Sequence, residues 1–191
     1  NVQNALAAIA ACDAAGVPLA AMVAPLAAFA GVARRFHVVG RARGVEVVDD
    51  FAHNPAKLRA AIATAQRRAT RVLAVYQAHG YGPTRFLRAD LVDAFASSLR
   101  PADRLWMLEI FYAGGTAVRD FSAADLVAEI AARGVTARFE ADRDALIEQI
   151  AAEARKGDLV LVMGARDPSL TTLARRIVER LGGLPVPGPV A

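Results

Sequence analysis

Four segments of the sequence place polar residues or glycines directly after a short apolar run. They are DDFAHNP at 49–55, QAHGYGPTR at 77–85, EIFYAGG at 109–115 and GARD at 164–167. Each apolar run predicts a strand that is buried on both faces, as in a parallel sheet. Ligands of such sheets bind beyond the carboxyl ends of the strands. Parallel strands would bring all four segments to one edge, so chemistry is expected there.

The segment 49–55 has two interpretations. A carboxylate at the end of a strand can accept both hydroxyls of a ribose, and His53 and Asn54 stand before a helix whose N-terminus favours phosphate. Alternatively, Asp50 and Asn54 cap that helix and His53 is a solvated loop residue. Asp and Asn are common N-cap residues, so the pattern alone slightly favours capping.

The segment 77–85 is equally open. His79, Tyr81 and Arg85 follow a strand, and the glycines among them give the backbone freedom to adapt. The Arg85 guanidinium could bind a carboxylate or a phosphate through two parallel hydrogen bonds. The alternative is a Gly-Pro turn that carries an ordinary surface arginine.

Several kinds of site are excluded by spacing. His37, His53 and His79 match no zinc motif, so no metal site is predicted. The chain has neither G-x-x-x-x-G-K-[ST] nor G-x-S-x-G, which argues against a phosphate-cradling loop and a serine nucleophile. The single cysteine, Cys12, indicates a reducing, cytoplasmic compartment, and its Ala-rich surroundings predict a small buried apolar residue.

Composition narrows the partners. The 191 residues are 55% hydrophobic, enough for a core, and carry a net charge of +4. Only Lys57 and Lys156 are lysines, and the arginines are scattered, which favours local anion sites over a nucleic-acid surface. The longest apolar stretch, 17–32, is interrupted by prolines, so no membrane-spanning helix is predicted. Neither nucleic acid nor a membrane is therefore an expected partner.

The periodicity predicts two helices, at 1–15 and 18–29, followed by alternating strands and helices. The two helices carry almost no charge and are predicted to be buried, so the chain is expected to be the C-terminal piece of a longer protein. The other elements are predicted as strands at 36–39, 45–48, 71–76, 104–110, 136–139 and 159–163, and helices at 56–68, 84–99, 122–132, 142–155 and 169–181. This order predicts an α/β fold, a Rossmann-like three-layer αβα domain with a mostly parallel sheet of about six strands.

Six segments also match a known set of motifs, in the same order along the chain. They are NVQNALAAI at 1–9 (H-N-x-x-N-x-x-A-A), FAGVARRF at 29–36 (F-x-G-V-x-R-R-F), VDDFAHNP at 48–55 (D-D-Y-A-H-x-P), YQAHGY at 76–81 (F-Q-P-H-R-Y), IFYA at 110–113 (D-I-Y-x-A) and GDLVLVMGA at 157–165 (G-D-x-V-x-x-M-G-A-G). Together they resemble the C-terminal domain of the Mur ligase family. Each motif is weak by itself, but six in order across nearly the whole chain are specific.

The resemblance implies a function. Mur ligases are ATP-dependent amide-bond ligases of peptidoglycan precursor synthesis, which use ATP and Mg²⁺ to turn a carboxylate into an acyl phosphate that an amine attacks. The resemblance is strongest to the branch that joins L-alanine to UDP-N-acetylmuramate. It implies that 1–33 are the last helices and linker of a central ATPase domain, that 34–182 are the C-terminal domain, and that 183–191 are a flexible tail.

The implied C-terminal domain binds the amino acid and closes over ATP. The phosphate loop and metal ligands are expected in the central domain, so this piece without the N-terminal and central domains of the same chain should be inactive. The implied site residues are His53 for catalysis, Arg35, Asp50 and Asn54 for the nucleotide, and His79, Tyr81 and Arg85 for the substrate.

The sequence departs from the family pattern at four places. His53-Asn54-Pro55 replaces H-H-P of the alanine ligases, Gly80 replaces the arginine after the histidine, GPTR at 82–85 replaces T-R-T, and Arg166 replaces a glycine. The arginine that could grip a substrate carboxylate is therefore missing or moved to Arg85. A ligase with another amine or acyl substrate, or a degenerate paralogue that only binds, is the alternative.

Overall fold

The computed structural model describes residues 2–29 and 31–186. Within them the chain forms eight helices and six strands. In chain order these are α1 (Val2–Ala14), α2 (Leu19–Ala28), β1 (His37–Ala42), β2 (Val45–Asp50), α3 (Pro55–Gln66), β3 (Arg71–Tyr76), α4 (Tyr81–Phe86), α5 (Arg88–Ser98), β4 (Arg104–Met107), α6 (Ala123–Ala132), β5 (Ala137–Phe139), α7 (Arg143–Glu153), β6 (Asp158–Met163) and α8 (Leu170–Arg180). None of the helices in these two ranges is long and apolar enough to cross a bilayer.

The six strands form one sheet in the order β1-β2-β6-β3-β4-β5. The hairpin of β1 and β2 is antiparallel, and every other neighbouring pair is parallel. The carboxyl ends of β2, β6, β3 and β4 therefore lie side by side at one edge, which we call the C-edge; the opposite side is the N-edge. The prediction of a mostly parallel six-stranded sheet is confirmed.

Helices cover both faces of the sheet and make it the middle of three layers. Along β3, the side chains of Val72, Ala74 and Tyr76 enter one apolar cluster, whereas Leu73 and Val75 enter the other, because neighbouring residues of a strand point to opposite faces. The first cluster contains buried residues of α3, α5 and α6, and the second contains those of α7 and α8. The predicted αβα layering is therefore confirmed.

Local capping fixes the start of two helices. The Asn54 side chain accepts a hydrogen bond from Lys57 N at 3.0 Å at the start of α3. Ser122 and Asp125 form a reciprocal capping box at the start of α6. Both follow from residue type, since short polar side chains satisfy the unpaired N–H groups of a first turn.

The structure corrects three expectations. Helices α1 and α2 are exposed, with only Met22 buried among their described residues, because these two helices pack chiefly on each other. Cys12 is exposed for the same reason, not buried. The helix expected at 84–99 is two helices that meet at Leu87, and it begins earlier because Pro83, which lacks an N–H, is tolerated in the first turn of α4.

The structure also bears on two predicted boundaries, the end of the fourth strand and the start of the tail. The fourth strand ends at Met107 and not at residue 110, since its neighbour β5 ends at Phe139. Of the tail predicted at 183–191, residues 187–191 lie outside the described part of the chain. Before them, Val186 N donates to Val39 O of β1 at 2.6 Å.

Candidate functional site

Two histidines meet at the C-edge. His53 follows β2 and His79 follows β3, and their ring centroids are 5.5 Å apart in an edge-on arrangement. Beside them lies a cavity of about 270 Å³, which Asn54 and the buried Tyr76 help to line. The Tyr76 hydroxyl donates to His53 O at 3.3 Å, so the floor of the cavity supports the histidine loop.

His53 is held in one orientation. Its Nδ1 lies 2.9 Å from the carbonyl oxygen of Phe51, and its ring packs edge-on against the Phe51 ring at 5.5 Å. A carbonyl oxygen only accepts hydrogen bonds, so Nδ1 carries the proton. In the neutral ring Nε2 therefore keeps its lone pair and can accept a proton or a hydrogen bond.

Burial keeps His79 in its neutral form. The half-buried ring loses hydration, which lowers the pKa of His79 below its ordinary value of 6.5, and repulsion from the charges of His53 and Arg166 lowers it further. The two histidines thus form a pair that resists a second positive charge. The neutral His79 ring has one N–H donor and one lone pair, whereas His53 has only its Nε2 left for a ligand because its Nδ1 is bonded to Phe51 O.

Asp50 shapes a second, larger space next to this pair. Its Oδ2 accepts from Phe36 N and its Oδ1 from Ala52 N, each at 2.7 Å. Burial raises the pKa of Asp50, although these two hydrogen bonds and the charge of Arg35 oppose the rise. Each carboxylate oxygen can still accept a further hydrogen bond, because an ionised carboxylate has about four acceptor positions.

The space beside Asp50 is a cleft of about 650 Å³ with a basic wall. Its lining includes Arg35, Lys57 and Arg68, and also Gln3 of α1. This volume is within the usual range of about 300–1,000 Å³ for small-molecule sites. One carboxylate that can accept hydroxyls, with cations around it, fits a nucleotide, so the ATP implied by the resemblance is compatible with the residues present.

Asn54 only partly matches its predicted role. It lines the histidine cavity, but its side-chain oxygen is occupied by Lys57 N at the start of α3. The capping interpretation of Asn54 is therefore confirmed, and only its amide donors remain for a ligand. Arg35 is exposed, lines the cleft, and has its guanidinium 5.8 Å from the centre of the Phe51 ring.

Tyr81 and Arg85 do not line either space. The Tyr81 ring is 8% exposed and packs against the rings of Tyr112 and Phe121. The Arg85 guanidinium forms an ion pair with Asp120 and lies over the Phe121 ring. In this arrangement Tyr81 is a core residue and Arg85 an exposed residue with a protein partner, whereas His53, Asn54 and His79 share one cavity.

Sequence reasoning missed a buried group beneath the site. Asp49 is fully buried, accepts from the Thr171 hydroxyl at 2.6 Å, and lies 3.6 Å from Nε of Arg34. The other two nitrogens of Arg34 donate to the carbonyls of Gly164 and Ala165. The alternation of Asp49 and Asp50 along β2 was the available signal, because neighbouring strand residues face opposite sides.

Gly164 lets the β6 turn lie close to β3. Its φ is +153°, and a Cβ there would stand 2.5 Å from the Leu170 side chain and 3.0 Å from Gln77 O. A larger residue would push the two strand ends apart.

In the described ranges, no three His, Cys, Asp or Glu side chains are grouped as metal ligands.

Comparisons with known proteins identify the family of the chain. The family model described as "Mur ligase, glutamate ligase domain" matches residues 34–166. UDP-N-acetylmuramate–L-alanine ligase of Sorangium cellulosum is 41% identical over 172 residues, which are 87% of this chain and 36% of that protein. The same enzyme of Agrobacterium fabrum is 39% identical over 86% of this chain and 35% of its own length.

Solved structures give the same relationship. The UDP-N-acetylmuramate-alanine ligase of Thermotoga maritima superposes with a TM-score of 0.73 and 26% identity, covering 95% of this chain and 37% of that one. A second ligase structure, from Acinetobacter baumannii, shares the fold at a TM-score of 0.70 and 22% identity, covering 93% of this chain and 37% of its own. The chain thus spans a little over one third of the relatives it matches. It belongs to the Mur ligase family and contains the family's C-terminal domain.

Proposed function

We propose that this chain is the C-terminal part of an ATP-dependent ligase that joins L-alanine to UDP-N-acetylmuramate in cytoplasmic peptidoglycan precursor synthesis. The observation that carries the proposal is the pairing of His53 and His79 beside the Asp50 cleft. The similarity to two curated L-alanine ligases supports the choice of substrates. Residues 1–33 would continue a central ATPase domain, and 34–182 would bind the amino acid and close over ATP.

Asp50 and Arg35 are proposed to hold the nucleotide. The carboxylate of Asp50, fixed by two backbone N–H groups, accepts hydroxyls of the ribose through its remaining positions. Arg35 and Lys57 offer positive charge along the cleft. Bound ATP with Mg²⁺ supplies the phosphoryl group that activates the substrate carboxylate, with the metal held by residues outside this domain.

His53 is proposed to take up the proton that the amine loses. An amino acid enters as an ammonium group, which cannot attack until one proton has left. Nε2 of His53 is an acceptor because Nδ1 is committed to Phe51 O. Depression of the His79 pKa limits the positive charge that the ammonium group meets on entry.

The test is ADP release by the full-length gene product with UDP-N-acetylmuramate, ATP and Mg²⁺. L-Alanine should support release, while glycine and L-serine should support less, and omission of UDP-N-acetylmuramate should abolish it. The 191-residue chain alone is the control and should release none. Absence of ADP with every amine tested would refute the ligase, and release with another amine only would refute L-alanine.

The role of His53 is tested separately by His53→Asn. The amide of Asn can still donate to Phe51 O, but it removes the ring nitrogen that accepts the proton. General acid–base catalysis contributes about 10²–10⁴-fold, so kcat should fall at least about 100-fold while the KM for ATP stays near wild type. A kcat within a factor of three of wild type would show that His53 only lines the cavity.

A further inference from the structure

Arg166 is an uncommitted cation at the C-edge. It follows β6 on an exposed turn, and within residues 2–29 and 31–186 its guanidinium has no hydrogen-bond or ion-pair partner. Other arginines of this edge are engaged. Arg34 donates to two backbone carbonyls, Arg85 pairs with Asp120, and Arg143 pairs with Asp167.

The order of the strands places the turn that carries Arg166 near both histidine loops. Strands β3 and β6 are parallel neighbours, with Tyr76 opposite Met163, and the ladder continues as Gln77 N donates to Met163 O at 3.0 Å. Strand β6 lies between β2 and β3, so the turn after β6 leaves the C-edge between the loops of His53 and His79. The positive charge of Arg166 contributes to the lowering of the His79 pKa, in keeping with this placement.

The surroundings leave room for a ligand beside this pair. The residue after His79 is Gly80, with a φ of +71°, and the cavity of about 270 Å³ is lined by both His53 and His79. Gly80 is fixed in place because its N–H donates to Phe111 O at 2.8 Å. An exposed guanidinium next to a neutral imidazole N–H presents one positive charge and several parallel donors, which suits a carboxylate with a single negative charge.

We propose that Arg166 binds the carboxylate of the amino acid that serves as the amine substrate. The proposal rests on the proposed function and adds a specificity-determining residue to it. The amino acid would place its carboxylate at Arg166 and its ammonium group towards His53, with His79 next to both. The nucleotide cleft contains Asp50 and a different set of cations, so the phosphates have their own place.

Kinetics of the full-length enzyme test the assignment. Arg166→Ala should raise the KM for L-alanine about 10-fold or more, the usual size for a charged hydrogen bond, and leave the KM for ATP unchanged. Arg166→Lys should restore part of the loss. L-Alaninamide, which has no carboxylate, should be used equally by wild type and Arg166→Ala.

Two matched variants remove the same charge elsewhere. Arg175→Ala changes an exposed arginine of α8, and Arg85→Ala changes the other candidate arginine, which already has Asp120 as partner. Both should keep the wild-type KM for L-alanine. A rise in KM with Arg85→Ala but not with Arg166→Ala, or an equal effect of Arg166→Ala on L-alanine and L-alaninamide, would overturn the proposal.

A binding measurement on the 191-residue chain separates this proposal from the ligase activity. Sodium acetate, compared with sodium chloride at equal ionic strength, should shift the ring resonances of His79 in NMR spectra, and Arg166→Ala should abolish the shift. If the full-length protein ligates no amine but acetate shifts the His79 resonances only when Arg166 is present, the proposed ligase function is wrong and the carboxylate site is supported. If acetate acts equally on Arg166→Ala, the site fails whatever the activity.

Discussion

Both edges of the sheet carry arginines, but the groups around these arginines differ. At the N-edge, Glu153 pairs with Arg71, Arg104 and Arg138 at 3.4, 3.0 and 3.2 Å, and Arg71 also pairs with Asp158 at 2.6 Å. The N-edge charges named here are therefore matched by protein partners. At the C-edge, in contrast, His53, His79 and Arg166 have no ion-pair partner in the part of the chain that the structure describes.

The difference shows which charges are structural and which are available. A matched pair satisfies its donors and acceptors internally, so nothing remains for a ligand. An exposed cation beside a neutral imidazole keeps donors for something outside the chain. The residue type alone does not show whether a charge is structural or available to a ligand, whereas the presence of an ion-pair partner within the protein does.

The largest expected effect is at the N-edge. Asp103 is 1% exposed and accepts from Val72 N, Arg100 N and the Gln66 amide. Burial opposes its charge, but hydrogen bonds, foremost from the Arg100 side chain, outweigh burial and lower the pKa of Asp103. Asp103→Ala leaves these donors unpaired and should destabilise the fold by about 3 kcal/mol in urea unfolding.

The control for this substitution is Asp93→Ala. Asp93 also pairs with two arginines, Arg59 and Arg133, but at the surface, where water replaces a lost partner. Its unfolding midpoint should stay close to wild type. Equal losses from the two variants would mean that the N-edge pairs are no more structural than a surface pair.

An intermediate effect is expected from the two neighbouring carboxylates of β2. Asp50→Asn removes the charge next to the cleft and should raise the KM for ATP of the full-length enzyme about 10-fold, with about 1 kcal/mol of stability lost with one hydrogen bond. Asp49→Asn should act mainly on stability and not on the KM for ATP, since Asp49 faces Arg34 and Thr171. It should lower the stability by about 1–2 kcal/mol and leave the KM unchanged.

The two β2 variants also test whether the two faces of β2 act independently. If Asp49→Asn changed the KM for ATP as much as Asp50→Asn, the buried group would act on the nucleotide through the strand end. The two faces of β2 would then not be independent.

Much of the fold could be predicted because its determinants are local. The apolar run at 71–76 predicts β3 to the residue, and Ser122 with Asp125 predicts the start of α6. The meeting of His53 and His79 also follows from sequence, since parallel strands end at the same edge. These inferences need only the strand period, a capping pattern and the rule for parallel strands.

The rest depends on partners that are distant in sequence. Arg85 meets Asp120, which is 35 residues away, and Tyr81 meets Phe121 in the core. The pattern around 77–85 contains no sign of either contact. Likewise, the apolar faces of α1 and α2 predict that something covers them but not what, so the expectation of burial was wrong for the described chain.

The smallest effect is the most direct measure of the C-edge arrangement. In NMR titration the His79 ring should show a midpoint below 6.5, because burial and the charges of His53 and Arg166 disfavour its protonation. His53→Gln and Arg166→Ala should each move the midpoint upward, towards 6.5, whereas Arg175→Ala should not.

The lowered pKa of His79 also makes the free energy of unfolding depend on pH. The unfolded chain takes up a proton on His79 near pH 6.5, before the folded chain does, so the contribution of His79 is complete above that pH and is lost as the pH falls through the window below it. His79→Asn should flatten this part of the stability profile. If the His79 midpoint lay at or above 6.5 and changed in neither His53→Gln nor Arg166→Ala, the three side chains would not interact. The proposed difference between the two edges would then be wrong.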